Sequence, residues 1–378
     1  MSTDKKADVK LGIIGFGAMG KGHATKIKDG AITNGLISAV CDTDEKALAT
    51  AKEILGDTAQ YFSTPHDLFE SNSVDAVIIS TPHYDHPPLA IEAFSYDLNV
   101  LIEKPAGVYG KHVVEMNEVA AKSDKVFGIM LNQRFRPEYQ KIKELIENEE
   151  LGKITRVSWI ISDWYRTQAY YEQSDWRATW EGEGGGVLIN QCPHNLDLFQ
   201  WFFGLPTKVR AFCKFGQYHD IEVEDDVTAY MEFENGATGM FVTTTGDYPG
   251  TNRLEITGDK GKLIFENRKI SFSRTTKPVS EFTKTTKVAW STPEVWQIDI
   301  PYSGPNKEHM GVIQNFINAI QNGEKLLGPG EEGIRSLELG NSFLLSEWTN
   351  DFVEFPLDRD LYLEKLNEKI EESRAKKK

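Results

Sequence analysis

With 378 residues the chain exceeds what one hydrophobic core holds efficiently, roughly 250 to 300 residues, so two domains are expected. Its 57 acidic against 42 basic side chains give a net charge of -15, which argues against nucleic acid and anionic membranes, partners recruited by a basic face, and favours a small molecule. Three widely spaced cysteines, Cys41, Cys192 and Cys213, offer neither a disulfide framework nor a zinc-type pair, so no metal site and a reducing, cytoplasmic setting are expected.

The opening MSTDKKADVK is polar, with no apolar leader. No apolar run approaches the roughly 20 residues that a bilayer crossing needs. Residues 9–14 predict a strand, GFGAMG a turn and residues 21–29 a helix. Residues 36–41 predict a second strand, ending at Asp42 before the helix-like DEKALATAKEILG, and residues 74–80 a third. PPLAIEAFSYD, NVLIEKP, residues 108–123 and VFGIML continue the alternation of helix and strand. Such alternation predicts an α/β fold, a doubly wound parallel Rossmann sheet over residues 1–131.

Beyond Asn132 the pattern changes. A helix over 138–149 leads into the strand-like KITRVSWIISDWY, and from Thr207 strand follows strand, with ENGA, GDKGK and ENRK as hairpin turns. Residues 132–350 therefore read as an α+β domain with a large, mainly antiparallel sheet. One face of it is expected under a helix beginning near Gly186, the other under a second copy of the chain. Residues 307–322 and 333–348 read as amphipathic helices returning to the first domain. Residues 351–378 form a helical tail whose polar end, EKLNEKIEESRAKKK, reads as a solvated terminus.

Gly15, Gly17 and Gly20, with Phe16, Ala18 and Met19 between them, form GxGxxG between a strand and a helix, the arrangement that seats a pyrophosphate on a helix N-terminus. Asp42 closes the second strand, where a carboxylate accepts from both adenosine ribose hydroxyls and repels a 2′-phosphate, so NAD is expected rather than NADP. Thr81, Pro82 and His86 follow the next strand at a ligand-binding sheet edge, although His86 reads equally as an ordinary loop histidine. Glu103 and Lys104 stand at the mouth of the nucleotide site, with Pro105 fixing the backbone behind them. In GEGGGVLINQCPHNLDLFQWFFG the glycines allow backbone to approach a ligand. The segment then predicts a helix burying Leu188, Leu196, Leu198 and Trp201, with Asn190 and His194 four apart on one face.

Together, GFGAMG, EKP and GGGVLINQCPHNLD resemble the glucose-fructose oxidoreductase, inositol dehydrogenase and MocA (Gfo/Idh/MocA) family, from Val9 to about Trp348, with KEHMGVIQNFINAIQNGEK included. The resemblance implies a Rossmann domain followed by an open-faced sheet domain that commonly forms dimers or tetramers. It implies that Lys104 is the catalytic lysine and that His194 hydrogen-bonds the reacting carbinol. Asn132 and Arg134, in NQRF, fall where the family contacts the cofactor or the substrate edge. Asn190 stands where the family usually has an aspartate, so it is assigned to orienting a hydroxyl.

SDWYRTQAYYEQSDWRATW resembles sugar- and glycoside-oxidising branches of the family. Trp164, Trp176 and Trp180 offer flat apolar faces, at least one of them expected in the core, and Tyr165, Arg166 and Arg177 offer donors to a polyol. The implied activity is reversible, NAD-dependent oxidation of a secondary alcohol on a sugar, cyclitol or glycoside. The alternatives are glycoside cleavage through transient oxidation, elimination and re-reduction, and a redox sensor without catalysis.

Overall fold

The computed structural model of the protein describes residues 6–376, so the opening MSTDK and the last two lysines of the basic end lie outside the described residues. The chain divides into two compact units: one runs to Phe135 and is completed by Lys307–Leu337, and the other comprises Arg136–Asn306 with Glu338–Lys378.

In the first unit six strands, β1 (Val9–Ile14), β2 (Gly35–Cys41), β3 (Gln60–Phe62), β4 (Ala76–Ile79), β5 (Asn99–Ile102) and β6 (Phe127–Ile129), form one sheet in the order β3-β2-β1-β4-β5-β6. Every pairing is parallel. All four residues of β4 are buried, as a sheet covered on both faces requires. The strand order reverses between β1 and β4, and open α/β sheets bind ligands at the carboxyl edge of such a point. The short β3 and the helix Pro65–Glu70 go beyond the sequence expectation, because three residues carry too little periodicity to mark a strand.

The linear division into 1–131, 132–350 and 351–378 differs from how the chain packs. The helix Glu308–Asn322 belongs to the first unit, where its Val312, Ile313, Phe316 and Ile317 join the core around Leu11, Ile13, Ile78 and Leu101. The helix Gly333–Thr349 is divided, with residues through Leu337 in the first unit and those from Glu338 in the second.

The second unit holds nine strands: β7 (Ile154–Ile161), β8 (Lys208–Phe215), β9 (Glu224–Glu232), β10 (Thr238–Thr244), β11 (Asn252–Gly258), β12 (Gly261–Glu266), β13 (Lys269–Thr275), β14 (Val295–Ile300) and β15 (Val353–Glu354). Their order is β14-β13-β12-β11-β7-β10-β9-β8-β15, antiparallel throughout except where β10 pairs with β7. ENGA, GDKGK and ENRK do turn hairpins, and Asn267 and Arg268 both take positive φ, as a two-residue turn with the twist of its strands demands.

The sheet alternates in burial. Val227, Ala229 and Met231 of β9 face the core. There Phe241 of β10 packs on Phe199 of the helix Pro193–Phe203 and on Phe343. Phe212, Tyr230 and Met240 are exposed. The C-terminal segment is not a solvated tail. Its helix Arg359–Lys376 buries Tyr362 and Leu366, stacks Tyr362 on Trp348 and pairs Arg374 with Glu181. A one-in-four spacing of apolar residues among many charges hides this docked face in the sequence. Among the described residues no helix is long and apolar enough to cross a membrane.

Candidate active site

In the first unit the three glycines have three separate physical reasons. Gly15 has φ +87°, and a Cβ on it would stand 2.7 Å from the Ser80 carbonyl oxygen. A Cβ on Gly20 would stand 2.0 Å from the Gly15 carbonyl oxygen, so only glycine lets the helix pack this closely. Gly17 faces open space and caps the helix Ala18–Lys28. The helix therefore opens inside the motif rather than at Lys21, and Ala18, Met19 and Gly20 form its first turn, where backbone N–H groups lack intrahelical acceptors. Phe16 buries its ring and donates its backbone N–H to Asp42 Oδ2 at 2.6 Å, while Asp44 N–H donates to Oδ1 at 2.8 Å. Two main-chain donors thus fix the Asp42 carboxylate, whose remaining lone pairs suit a ribose diol.

Ser80 and Thr81 follow β4 directly, and their hydroxyl oxygens are buried without a partner among the described residues, as is Asn132 Oδ1 beyond β6. Buried polar groups are almost always satisfied, so these orphaned atoms call for a polar ligand. With the glycine-lined helix N-terminus and Asp42, they fit a dinucleotide.

Two other expected cofactor contacts, His86 and Arg134, are bonded within the protein. His86 is wholly buried, with Nδ1 2.7 Å from the Pro105 carbonyl oxygen and Nε2 2.9 Å from that of Thr81. It ties two loops together and has no nitrogen left for a ligand. Burial lowers its pKa. Arg134, 1% exposed, gives Nη1 to Glu332 at 2.6 Å and to the Leu327 carbonyl at 2.9 Å, holding the returning segment rather than a cofactor.

Glu103 points inward, with Oε1 2.8 Å from His23 Nε2 and Oε2 accepting the Lys104 N–H at 3.2 Å. Burial opposes its charge, but His23 and the nearby Lys104 and His309 outweigh burial and bring its pKa down to about 2. Lys104 itself is half-buried and joined to Pro105 by a cis peptide. Pro82 is exposed beside Thr81.

In the second unit the glycine run is not the first turn of a helix. Gly184 has φ +84°, and a Cβ on Gly186 would stand 2.0 Å from the Glu224 carbonyl oxygen. The fully buried Glu224 accepts the N–H groups of Gly186 and Leu188 on Oε1, at 2.9 and 3.0 Å, and its Oε2 has no partner among the described residues. Burial outweighs those donors and pushes its pKa up to about 7. The helix starts only at Pro193, because a proline lacks the N–H and clashes with a preceding helical turn. Asn190 and Leu188 therefore precede the helix, His194 lies in its first turn, and Asn190 and His194 share no helical face. Leu196 and Leu198 are buried as expected, and Trp201 is half-exposed.

Around Tyr170 four of the expected substrate residues, Arg166, Trp176, Arg177 and Asn190, join one polar and aromatic network. Arg177 Nη1 donates to the Tyr170 hydroxyl at 2.7 Å and stands 3.6 Å from Glu183, and its guanidinium lies 4.6 Å from the Tyr170 ring and 4.8 Å from the Trp176 ring. Glu183, 1% exposed, accepts the Ala178 N–H at 2.6 Å and the Asn190 side-chain amide. This turns Asn190 Oδ1 toward the Tyr170 hydroxyl, 3.5 Å away. Arg166 lies 5.0 Å from the Tyr170 ring and 5.7 Å from Trp164, whose indole N–H donates to Asn195 at 3.1 Å. Trp180 is core, against Phe215 and Trp348. Tyr165 is exposed and packs on Tyr248.

Residues 9–131 match a family model described as an oxidoreductase family with an NAD-binding Rossmann fold, and residues 139–264 match the GFO/IDH/MocA C-terminal domain. The chain belongs to the Gfo/Idh/MocA oxidoreductase family. It is an NAD-dependent oxidoreductase, as the sequence resemblance implied. This family member is 27% identical over 267 residues to myo-inositol 2-dehydrogenase of Thermotoga maritima, covering 68% of this chain and 75% of that one. Over 233 residues it is 26% identical to inositol 2-dehydrogenase of Corynebacterium glutamicum, covering 60% and 64%. Its backbone matches the WlbA dehydrogenase of Bordetella pertussis, solved with NADH and UDP-GlcNAcA, with a TM-score of 0.77, 26% identity and coverage of 93% and 100%.

Sequence reasoning missed His23, Tyr170, Glu183 and Glu224. His23 had a usable signal, since three residues beyond Gly20 falls on the same helical face. Glu183 was visible too, as a carboxylate flanked by glycines. Nothing near Glu224 in sequence points to its partners, which lie 36 and 38 residues away.

Proposed function

We propose that this Gfo/Idh/MocA oxidoreductase reversibly oxidises a secondary alcohol of a sugar, cyclitol or glycoside to the ketone. The observation that carries the reading is the network around Tyr170. Flat rings of Trp164, Tyr170 and Trp176 alternate with the donors of Arg166 and Arg177 and end at the oriented amide of Asn190. A polyol offers the matching surface, apolar C–H faces rimmed by hydroxyls. The inositol dehydrogenases among the relatives support the same substrate class.

NAD, when bound, supplies the hydride acceptor. On this reading the first-turn N–H groups behind Gly17 hold its pyrophosphate, Asp42 accepts from its adenosine ribose, and the orphaned oxygens of Ser80, Thr81 and Asn132 hold its polar edge. Lys104 or His194 takes up the hydroxyl proton as hydride leaves the carbinol carbon, and Asn190 orients a neighbouring hydroxyl. Positioned acid–base groups contribute typically 10² to 10⁴ in rate. Lys104→Ala and His194→Ala should therefore bind NADH normally, by fluorescence titration, yet lose turnover by about that factor. Unimpaired turnover in both variants defeats the assignment.

The substrate test is a screen of sugars, cyclitols and glycosides for NADH absorbance alongside release of aglycone. Product formation with only catalytic NAD and no net NADH would shift the reading to redox-neutral glycoside cleavage. A homo-dimer or homo-tetramer through the second unit's sheet belongs to the same proposal, supported by the exposed Phe212, Tyr230 and Met240. A cytoplasmic setting is supported by three unpaired, buried cysteines.

A further inference from the structure

We infer that the substrate carries an anionic group, carboxylate or phosphate, and that Arg166 reads it. The inference rests on the carbohydrate reading above and narrows it. The two arginines of the Tyr170 network differ in how their charge is met. Arg177 stands 3.6 Å from the buried carboxylate of Glu183. Arg166, over the same Tyr170 ring, has no carboxylate partner among the described residues, in a chain with 57 acidic side chains to choose from.

Two acids of this region are committed elsewhere. Asp225, fully buried, accepts the N–H groups of Gln217, Tyr218 and His219 and pairs with the His219 ring at 3.0 Å. Asp163 accepts the Asn252 amide at 3.1 Å.

Arg166 is nonetheless built in. Its backbone N–H donates to the Thr245 carbonyl at 2.9 Å, its own carbonyl lies 3.0 Å from His219 Nε2, and Nη1 is held by the carbonyls of Tyr165 and Trp164 at 2.9 and 3.4 Å. Only that one nitrogen is engaged. Nε and Nη2, two donors in the planar fork that matches a carboxylate or phosphate, have no protein acceptor among the described residues. Arg166 is half-buried and its guanidinium lies over the Trp164 and Tyr170 rings, where water screens a ligand charge less than it does at an open surface. An anionic substituent would meet this fork while its sugar ring lies on the Trp164 face.

The test is calorimetric titration of the full-length protein, with NADH present, against matched neutral sugars, uronates and sugar phosphates of the gluco, galacto and manno series. The expected result is at least one charged sugar bound about ten- to a hundred-fold more tightly than its neutral counterpart, the range charge-assisted hydrogen bonds supply. Whether uronate or phosphate wins identifies the anion. Arg166→Gln should bring the charged-to-neutral affinity ratio close to one, and Arg166→Lys should keep part of it through point charge alone, with circular dichroism confirming both folds.

The inference is overturned if no charged sugar binds more tightly than its neutral partner, or if Arg166→Gln leaves the ratio intact. Charge preference lost with Arg166→Gln, but with NADH never formed from any sugar, would uphold Arg166 and defeat the redox reading. Oxidation of neutral sugars without charge preference would do the reverse.

Discussion

The imidazole of His23 stands 2.8 Å from the carboxylate of Glu103, with both side chains sealed from water. His23 lies on the helix that opens in the glycine motif, and Glu103 immediately precedes Lys104, whose N–H it accepts. The pair therefore ties the dinucleotide helix to the loop that bears the lysine.

Removing one partner of a buried pair leaves the other charge stranded, at a cost of about 3 to 5 kcal/mol. His23→Ala should lower the urea midpoint accordingly at pH 7. The sign with pH follows from Glu103, whose pKa falls from 4.5 to about 2 on folding. The stabilisation is present above 4.5 and is lost as pH falls toward 2. In the variant, burial without His23 disfavours the charge, so acid relieves it. The gap between the two proteins should narrow from pH 7 to pH 4. A constant gap would show that packing alone accounts for the loss.

Gly17 and Gly20 separate binding from folding. Gly17 has φ −67° and open space where a Cβ would go. Gly17→Ala should therefore melt within about 1 kcal/mol of wild type while losing NADH affinity, because the added methyl occupies the approach to the helix N-terminus. Gly20→Ala drives a Cβ into backbone and should cost about 1 to 3 kcal/mol or more. Differential scanning calorimetry beside NADH titration reads both. Equal effects of the two substitutions on melting would contradict the geometry.

Arg134 was expected at the cofactor and instead braces Glu332 and Leu327. Arg134→Met should destabilise the protein by about 3 kcal/mol and leave the NADH dissociation constant within about two-fold of wild type. A large loss of affinity at unchanged stability would return it to the cofactor site.

Glu224 makes the second unit pH-sensitive. Its pKa rises from 4.5 to about 7 on folding, so its contribution is full below 4.5 and is lost as pH rises through 7. Between pH 5 and pH 8 this term removes on the order of 1 to 3 kcal/mol. Gln at this position still accepts from Gly186 and Leu188 and cannot ionise. Thermal melts of Glu224→Gln should therefore be flatter with pH than those of wild type across that interval. Parallel curves would show that Glu224 titrates normally.

The parallel sheet, its glycine turn and Asp42 were legible because each is a local rule: buried strands are apolar runs, and close backbone contacts exclude a Cβ. The hairpins of the second unit were legible for the same reason. What escaped depends on distant partners. Arg134 reads as a surface cation until Glu332, 198 residues away, is beside it. His86 reads as a loop residue until the Pro105 carbonyl meets it. The helix expected at Gly186 failed on two counts, the ability of Pro193 to start a helix but not continue one, and the approach of Glu224 from another strand. Arg166 was found as a donor, but only the fold shows that Arg177 has a carboxylate beside it and that Arg166 has none among the described residues.

The core of the nucleotide unit closes only when Val312, Ile313, Phe316 and Ile317 arrive on the helix Glu308–Asn322. During synthesis the ribosome must therefore translate the entire intervening sheet segment before that core is filled. A nascent chain stalled after Phe135 would expose the apolar patch those four side chains cover, making it a client for chaperones. Expressing that stretch by itself should yield aggregate or partly structured material rather than a working nucleotide-binding fragment.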